Sequence, residues 1–201
     1  MARLQLSKSS LSREQKSLKT YQQFLPSLDL KRQELMRQRA EAQKILLKTE
    51  ADLKQCLQTT ADEIPMLSND RVDLQELVKV TGVKLNQENI MGASLPILTR
   101  VEIKTREYSF LAKPQWVDGV AEKLKYILTL RIRAQVEQRR LELLNSAVKT
   151  ITQRVNLFDK VLIPRAQKNI KRIKIHLSDA ERACVVIAKL AKNKRMAEAS
   201  A

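Results

Sequence analysis

Aromatic side chains are nearly absent from this 201-residue chain, at 3% of the total. Compact globular cores lean on bulky rings, so the core expected here is built from Leu, Ile, Val and Ala. Glycine is equally scarce, limited to Gly82, Gly92 and Gly119. No glycine-rich phosphate loop of either common pattern can be assembled from them. The single histidine, His176, stands among Lys171, Arg172 and Lys174 with no cysteine or second histidine nearby. That placement reads as a solvated helix residue rather than a metal ligand or catalyst. The two cysteines, Cys56 and Cys184, lie far apart without metal-like spacing and read as small apolar residues in a reducing compartment. No apolar run is long enough for a transmembrane helix. No apolar leader opens the chain, so no secretory signal is expected.

What is present is charge and aliphatic side chain. Charged residues make up 30% and hydrophobic residues 43%, the mix of long helices. The formal net charge is +16. Residues 117–201 hold 19 basic and 8 acidic groups, so most of the excess lies in the C-terminal part. Such a surface can meet nucleic acid, anionic lipid or an acidic protein face, and charge alone does not choose among them.

All three glycines and Pro65, Pro96 and Pro114 fall in the middle or at its borders. Because these residues punctuate helices, the chain divides into an N-terminal helix (1–62), a middle region (63–115), a very long C-terminal helix (116–195) and a tail (196–201). In the first helix Leu11, Leu18, Tyr21, Leu25, Leu28, Leu35, Ala42, Leu46, Leu53 and Cys56 recur by threes, fours and sevens, one apolar stripe. Ser12, with Gln15 three residues on, suits a capping box. Pro26 predicts a kink rather than a break, because the stripe keeps phase across it.

The C-terminal stripe is cleaner. Val120, Leu124, Ile127, Ala134, Leu141, Leu144, Val148, Ile151, Val155, Phe158, Leu162, Ala166, Ile170, Ile173, Leu177, Ala180, Cys184 and Ile187 follow almost unbroken coiled-coil spacing. The two steps of four through Leu162, Ala166 and Ile170 form a stutter. Pro164 sits in the same stretch, so a local irregularity is expected there. A helix over 117–193 spans roughly 115 Å, too long for a compact domain of this size. It needs a partner, and the N-terminal stripe supplies one. The predicted fold is therefore mainly α, a single elongated domain built on an antiparallel two-helix coiled coil. Its core is Leu18, Leu25, Leu35, Leu46, Leu53, Leu141, Leu144, Val148, Ile151, Val155, Phe158, Leu162, Ile173 and Leu177.

The middle has a different period. Residues 78–85 alternate until Gly82, and 97–104 and Tyr108–Phe110 are also strand-like. Gly92, Ala93, Ser94 and Pro96 offer turn chemistry. A β-hairpin is expected, with a short helix near 68–77 and a return helix starting at Trp116.

No constellation for catalysis emerges, and acidic residues are mostly flanked by basic ones as helical ion pairs. One cluster stands out. Lys149, Arg154, Lys160, Arg165, Lys168, Lys171, Arg172 and Lys174 face a single acid, Asp159, within 143–175. The plain reading is a solvated helix face; the functional one is contact with acidic loops of a partner. Single-strand binders interleave aromatics for base stacking, and only Phe158 lies here, on the apolar stripe. Membrane-surface binding wants aromatic anchors on an apolar face that coiled-coil pairing would remove.

The run from Thr152 to Pro164, with Arg154, Val155, Asn156, Ile163 and Pro164, resembles the "RRVNALE-x-x-x-IP" signature of the D subunit of V-type ATPases. Ile170 through Arg182 resembles the family's "I-x-x-I…L-x-E-x-E-R" run. Gly82-Val83-Lys84-Leu85 resembles its "GVKLP" hairpin entry, and Leu30 through Leu35 its "LLKxKRDxL" segment. The matches keep the family's order over nearly the whole chain. Gln153 replaces the first Arg, Leu157-Phe158-Asp159 replaces Ala-Leu-Glu, and Pro26 and Asp29 alter the N-terminal motif. These departures suggest a bacterial branch.

The resemblance implies a non-enzymatic rotor shaft without cofactors. Its paired helices would enter a hexameric head of A and B subunits. The F subunit would bind alongside, and the C/d subunit would lie below, above the membrane ring. The shaft would couple ATP hydrolysis or synthesis to proton or sodium transport, in the cytoplasm and peripheral to the membrane. Arg165, Lys168, Lys171, Arg172 and Lys174 are the residues expected to face the head. The competing readings are a free-standing coiled-coil adaptor and a basic nucleic-acid-binding rod.

Overall fold

The computed structural model describes residues 5–65, 74, 77–106 and 114–199, the last three without their side chains. The elements in chain order are α1 (Lys8–Glu63), β1 (Val78–Ile90), β2 (Ala93–Thr105), α2 (Trp116–Leu157), a π-helical turn (Phe158–Leu162) and α3 (Ile163–Ala199). The chain is therefore mainly α, with N- and C-terminal helices and an antiparallel hairpin between them. The expected strand at Tyr108–Phe110 lies outside the described residues, as does most of the expected helix at 68–77. The backbone forms two compact units, one of residues 31–150 and one of residues 1–30 with 151–201.

In the first unit the end of α1 meets the start of α2, so the two run antiparallel. Glu63 carries an ion pair to Lys123 at 2.7 Å, and the carboxylate's hydrogen bond raises the lysine's pKa. An upward shift on a lysine leaves the pair intact throughout neutral pH and costs it only at high pH. Leu77, Val117, Val120 and Ala121 are buried beside this junction, with Ile64, Leu74, Val78, Trp116 and Leu124 packed on them. Each fully buried Leu or Val there contributes about 1.5–3 kcal/mol. The cluster pins three elements at once: the end of α1, the root of the hairpin and the start of α2.

Further along, the helices bury one residue in seven. On α1 these are Leu35, Ala42 and Thr49; on α2 they are Leu130 and Leu144, with Val148 one step on. Glu137 occupies the seam position between Leu130 and Leu144, and its Oε2 is buried without a hydrogen-bond partner. A charged group at a seam position costs stability that an apolar residue would not.

The hairpin is longer than its alternating patches suggest. Its register opposes Val80 to Ile103, Val83 to Val101 and Leu85 to Leu98, with irregularities between Val80 and Gly82 and between Lys84 and Leu85. These are bulges, at Thr81 on β1 and Thr99 on β2. Each absorbs one extra residue, which keeps all three apolar pairs on one face although 80 to 83 and 98 to 101 are odd spacings. Thr81 donates its hydroxyl to the Glu102 carbonyl at 3.0 Å, locking the first bulge. The turn is Met91–Gly92, both at positive φ (52° and 91°), the geometry that matches strand twist in two-residue hairpins. Asn89 accepts the Gly92 N–H at 2.9 Å. Ala93, Ser94 and Pro96, expected in the turn, lie in β2 instead. Pro96 is tolerated because a two-stranded ribbon has free edges.

Other expectations are corrected by local chemistry. The cap of α1 is Ser7, not Ser12: its hydroxyl accepts the Ser10 N–H at 3.3 Å and its carbonyl takes the Leu11 N–H. Ser12 lies inside the first turns. At Pro26 nothing is overturned: α1 continues through it without a break, as the unbroken phase of the stripe led one to expect.

The seam gives opposite predictions for two neighbours. Glu137→Leu should raise the thermal midpoint, and Leu144→Ala should lower stability by roughly 2–5 kcal/mol. Circular dichroism melts of both variants check this; a destabilised Glu137→Leu or an unchanged Leu144→Ala contradicts the seam.

Candidate interaction surfaces

In the second unit, residues 151–178 of the return helix bury Ile151, Val155, Ala166 and Ile173, and α1 buries Ser10. Tyr21 of α1 meets Phe158 edge to face, with ring centroids 5.5 Å apart. Phe158 begins the π-helical turn, whose last hydrogen bond runs from the Ile163 N–H to the Phe158 carbonyl. The reason for the wide turn follows immediately. Pro164 has no N–H, and in an α-helix its ring would strike the Lys160 carbonyl. One inserted residue also resets the phase: Val155 and Ala166 are both buried although eleven apart, where the seam set by Val148, Ile151 and Val155 would place its next positions three, seven and ten residues on. The stutter in the sequence is this turn.

Of the sequence-predicted core, Leu35, Leu144, Val148, Ile151, Val155 and Ile173 are buried. Leu18, Leu25, Leu46, Leu53, Leu141, Phe158, Leu162 and Leu177 are half-buried. Burial ends there. Ala180, Cys184 and Ile187, the last steps of the predicted stripe, are exposed, as is every described side chain from Asp179 to Met196. The stripe continues in sequence, but nothing among the described residues covers it. His176 is exposed, and both cysteines are free, Cys56 half-buried and Cys184 exposed.

Within the motif, Val155 is buried and Ile163 half-buried, while Arg154, Asn156 and Pro164 are exposed or nearly so. Arg165, Lys168, Lys171, Arg172 and Lys174 are all exposed. At 100° per residue they fan over about half of the helix circumference, away from Ala166 and Ile173. No carboxylate pairs with any of the five among the described residues. Their charge is thus presented outward on a rigid helix. Phe158, the aromatic within the cluster, is already engaged by Tyr21 and does not offer a stacking face.

Sequence reasoning missed Leu130, the buried oxygen of Glu137 and the contact between the hairpin and α2. Heptad arithmetic reaches the first two, since 130, 137 and 144 differ by seven. A glutamate at 137 hides the pattern. The third is Arg140, 52 residues from its partner Glu88 at 3.0 Å; no local signal points to it. Among the described residues no helix is long and apolar enough to cross a membrane, and no group of three metal-ligating side chains occurs.

Antiparallel helices, a hairpin held to one of them and an outward-facing basic helix define a mainly helical protein. The comparisons place it more narrowly: the chain belongs to the ATP synthase D-subunit family, whose model matches residues 10–193. It is 30% identical to the V-type ATP synthase D subunit of Borreliella burgdorferi, over 96% of this chain and 95% of that one. It is 31% identical to the protein of the same name from Chlamydia trachomatis serovar L2, over 96% of each.

The π-helical turn carries a prediction. Deleting Lys160 removes the residue that the wide turn absorbs, so Ala166 and Ile173 keep their phase while Pro164 comes to lie inside a regular α-helix, its ring against the carbonyl four residues back. Stability should fall by about 3 kcal/mol, and adding Pro164→Ala to the deletion should restore it, whereas Pro164→Ala alone should leave the melt within about 1 kcal/mol. Equal melts for the deletion and the parent chain contradict this account.

Proposed function

We propose that this chain is the central rotor shaft of a V-type ATPase or ATP synthase. It carries no catalytic group and couples the nucleotide chemistry of an A–B head to proton or sodium movement in the membrane. The observation that carries the proposal is a family match from residue 10 to residue 193 on a chain whose two ends are helices and whose middle is a hairpin. In this reading the whole chain is one elongated functional body, cytoplasmic and held peripherally at the membrane by its partners: the A and B subunits, the F subunit and the C/d subunit.

The physics of the role is differential contact. A shaft that touches each A–B pair differently holds the catalytic sites in different states, because a ligand shifts an equilibrium only by its unequal affinity for the states. Turning the shaft exchanges those states. The exposed basic fan of Arg165, Lys168, Lys171, Arg172 and Lys174 is the surface proposed to meet acidic loops of the head. Charges of this kind act over about a Debye length and guide register more than they add affinity.

The test is co-expression with the A, B and F subunits of the same source. We expect one copy of the chain per A–B hexamer by size exclusion, with altered ATP turnover. Arg165→Glu, Lys168→Glu and Arg172→Glu together should then reduce ATP-driven pumping several-fold while the far-ultraviolet spectrum stays the same. A chain that elutes alone favours the adaptor reading. Unchanged pumping in the triple variant removes the basic fan from the head contact.

A further inference from the structure

The far end of α3 carries an apolar face with nothing over it among the described residues. Leu177 is half-buried, and from Asp179 to Met196 every side chain is exposed. Yet the apolar stripe does not stop at Leu177. At 100° per residue, Ala180, Ala183, Cys184, Ile187, Leu190 and Ala191 all lie within about 60° of Ile187. Ile187 is 64% exposed and Leu190 63%. A helix gains most of its stability by packing such a face. The small residues around Ile187 let a second helix approach closely.

The flanks of the face say what that second helix looks like. Both acids of the segment, Asp179 and Glu181, stand at its start. Lys189, Lys192, Lys194 and Arg195 stand at its end. None of these six has an ion-pair partner among the described residues. By the same helical arithmetic Glu181, Lys192 and Arg195 share one flank of the face, and Asp179 and Lys194 share the other.

A second copy of α3 running antiparallel fits this pattern. In an antiparallel pair each flank meets the same flank of the other copy. With Ile187 against Ile187, Glu181 stands six positions from the centre and comes level with Asn193 of the other copy, next to Lys192. Asp179 stands eight positions from the centre and comes level with Arg195, next to Lys194. Each acid thus meets a base, and the two-fold symmetry repeats both contacts. A parallel pair would stack the basic ends on each other, and like charges brought together oppose association. A lipid surface would call for aromatic anchors, and no Phe, Tyr or Trp occurs from 179 to 196.

The size of the face sets the strength. Residues 179–195 span about 25 Å, and a two-helix contact of that length buries on the order of 1,000 Å² in all, the low end of specific interfaces. The pairing is therefore reversible. The net charge of +16 opposes it, but at physiological salt charges more than about 8 Å apart are screened while the flank contacts are not.

We propose that two copies of the free chain pair antiparallel through the 179–195 face of α3, centred on Ile187. The pairing covers an apolar face that is otherwise open to water. It does not depend on the shaft assignment. Where that assignment holds, one copy per hexamer requires the pair to separate before assembly.

The test is sedimentation velocity of the full chain at physiological salt. A reversible dimer should appear by about 100 µM, the strength of a weak contact. Ile187→Lys with Leu190→Lys should weaken it at least tenfold at unchanged helicity. Val185→Lys, on the opposite side of the helix, should change it less than twofold. Glu181→Lys should weaken it several-fold, and adding Lys192→Glu to the same chain should restore it. In a chain carrying Cys56→Ser and Cys184→Ser, Ile187→Cys should be linked into a covalent dimer by copper phenanthroline, while Val185→Cys stays single. A chain that remains monomeric overturns the proposal. So does a dimer indifferent to Ile187→Lys with Leu190→Lys, because its contact then lies elsewhere. A charge swap that fails to restore pairing overturns the antiparallel arrangement. None of these outcomes alters the shaft assignment, which co-expression tests separately.

Discussion

Everything in this chain depends on one constraint: its helices are too long and too thinly apolar to stand alone in water. An isolated helix gains little from propensity, and most helical stability in proteins comes from packing one face. Here the face is a seam of aliphatic side chains recurring at seven, with Leu35 and Ala42 on α1 and Leu144, Val148, Ile151 and Val155 on the return helix. Because aromatics are almost missing, each seam residue buries a modest area and the sum matters more than any member. That is why one charged intruder, Glu137, is a measurable cost, and why the cluster around Leu77, Val117 and Val120 is placed where three elements meet.

The same constraint explains the π-helical turn. A seam that must stay buried on both sides of Pro164 cannot do so in unbroken α-helical register, since the proline ring and the heptad phase conflict. Inserting one residue resolves both. The Tyr21–Phe158 contact then sits at the point where the phase changes, one of the few places where this chain uses rings. Outside the seam the chain is free to be polar, and it uses that freedom for charge: the basic fan of α3 is solvent-facing because the seam fixes which side of the helix is left.

Much of this was legible in the sequence, for a physical reason. Periodicity reports burial directly, so the two stripes, the stutter and the hairpin could all be read from apolar spacing, and the family motif could be read from its own residues. What could not be read depends on contacts distant in sequence or on groups that break the pattern. Arg140 finds Glu88 across 52 positions. Leu130 was hidden by the glutamate that follows it by seven. The bulges at Thr81 and Thr99 turn odd spacings into one face, which alternation alone treats as noise. The end of the stripe misled in the opposite direction: Cys184 and Ile187 keep the period but lie beyond what α1 covers. Periodicity shows that a face is apolar. It does not show whether the covering surface belongs to this chain or to another.

The proposed shaft role makes one demand that no static contact can meet, namely that the chain turns relative to the head it occupies. The direct measurement is single-molecule rotation. The A–B head is immobilised, a gold bead is attached to the chain through a thiol at exposed Thr59→Cys in the cysteine-free background, and ATP is added. Stepwise turning in one direction, stopping when ATP is withdrawn, is the result expected. A bead that stays fixed while the same complexes hydrolyse ATP at full rate would contradict the account.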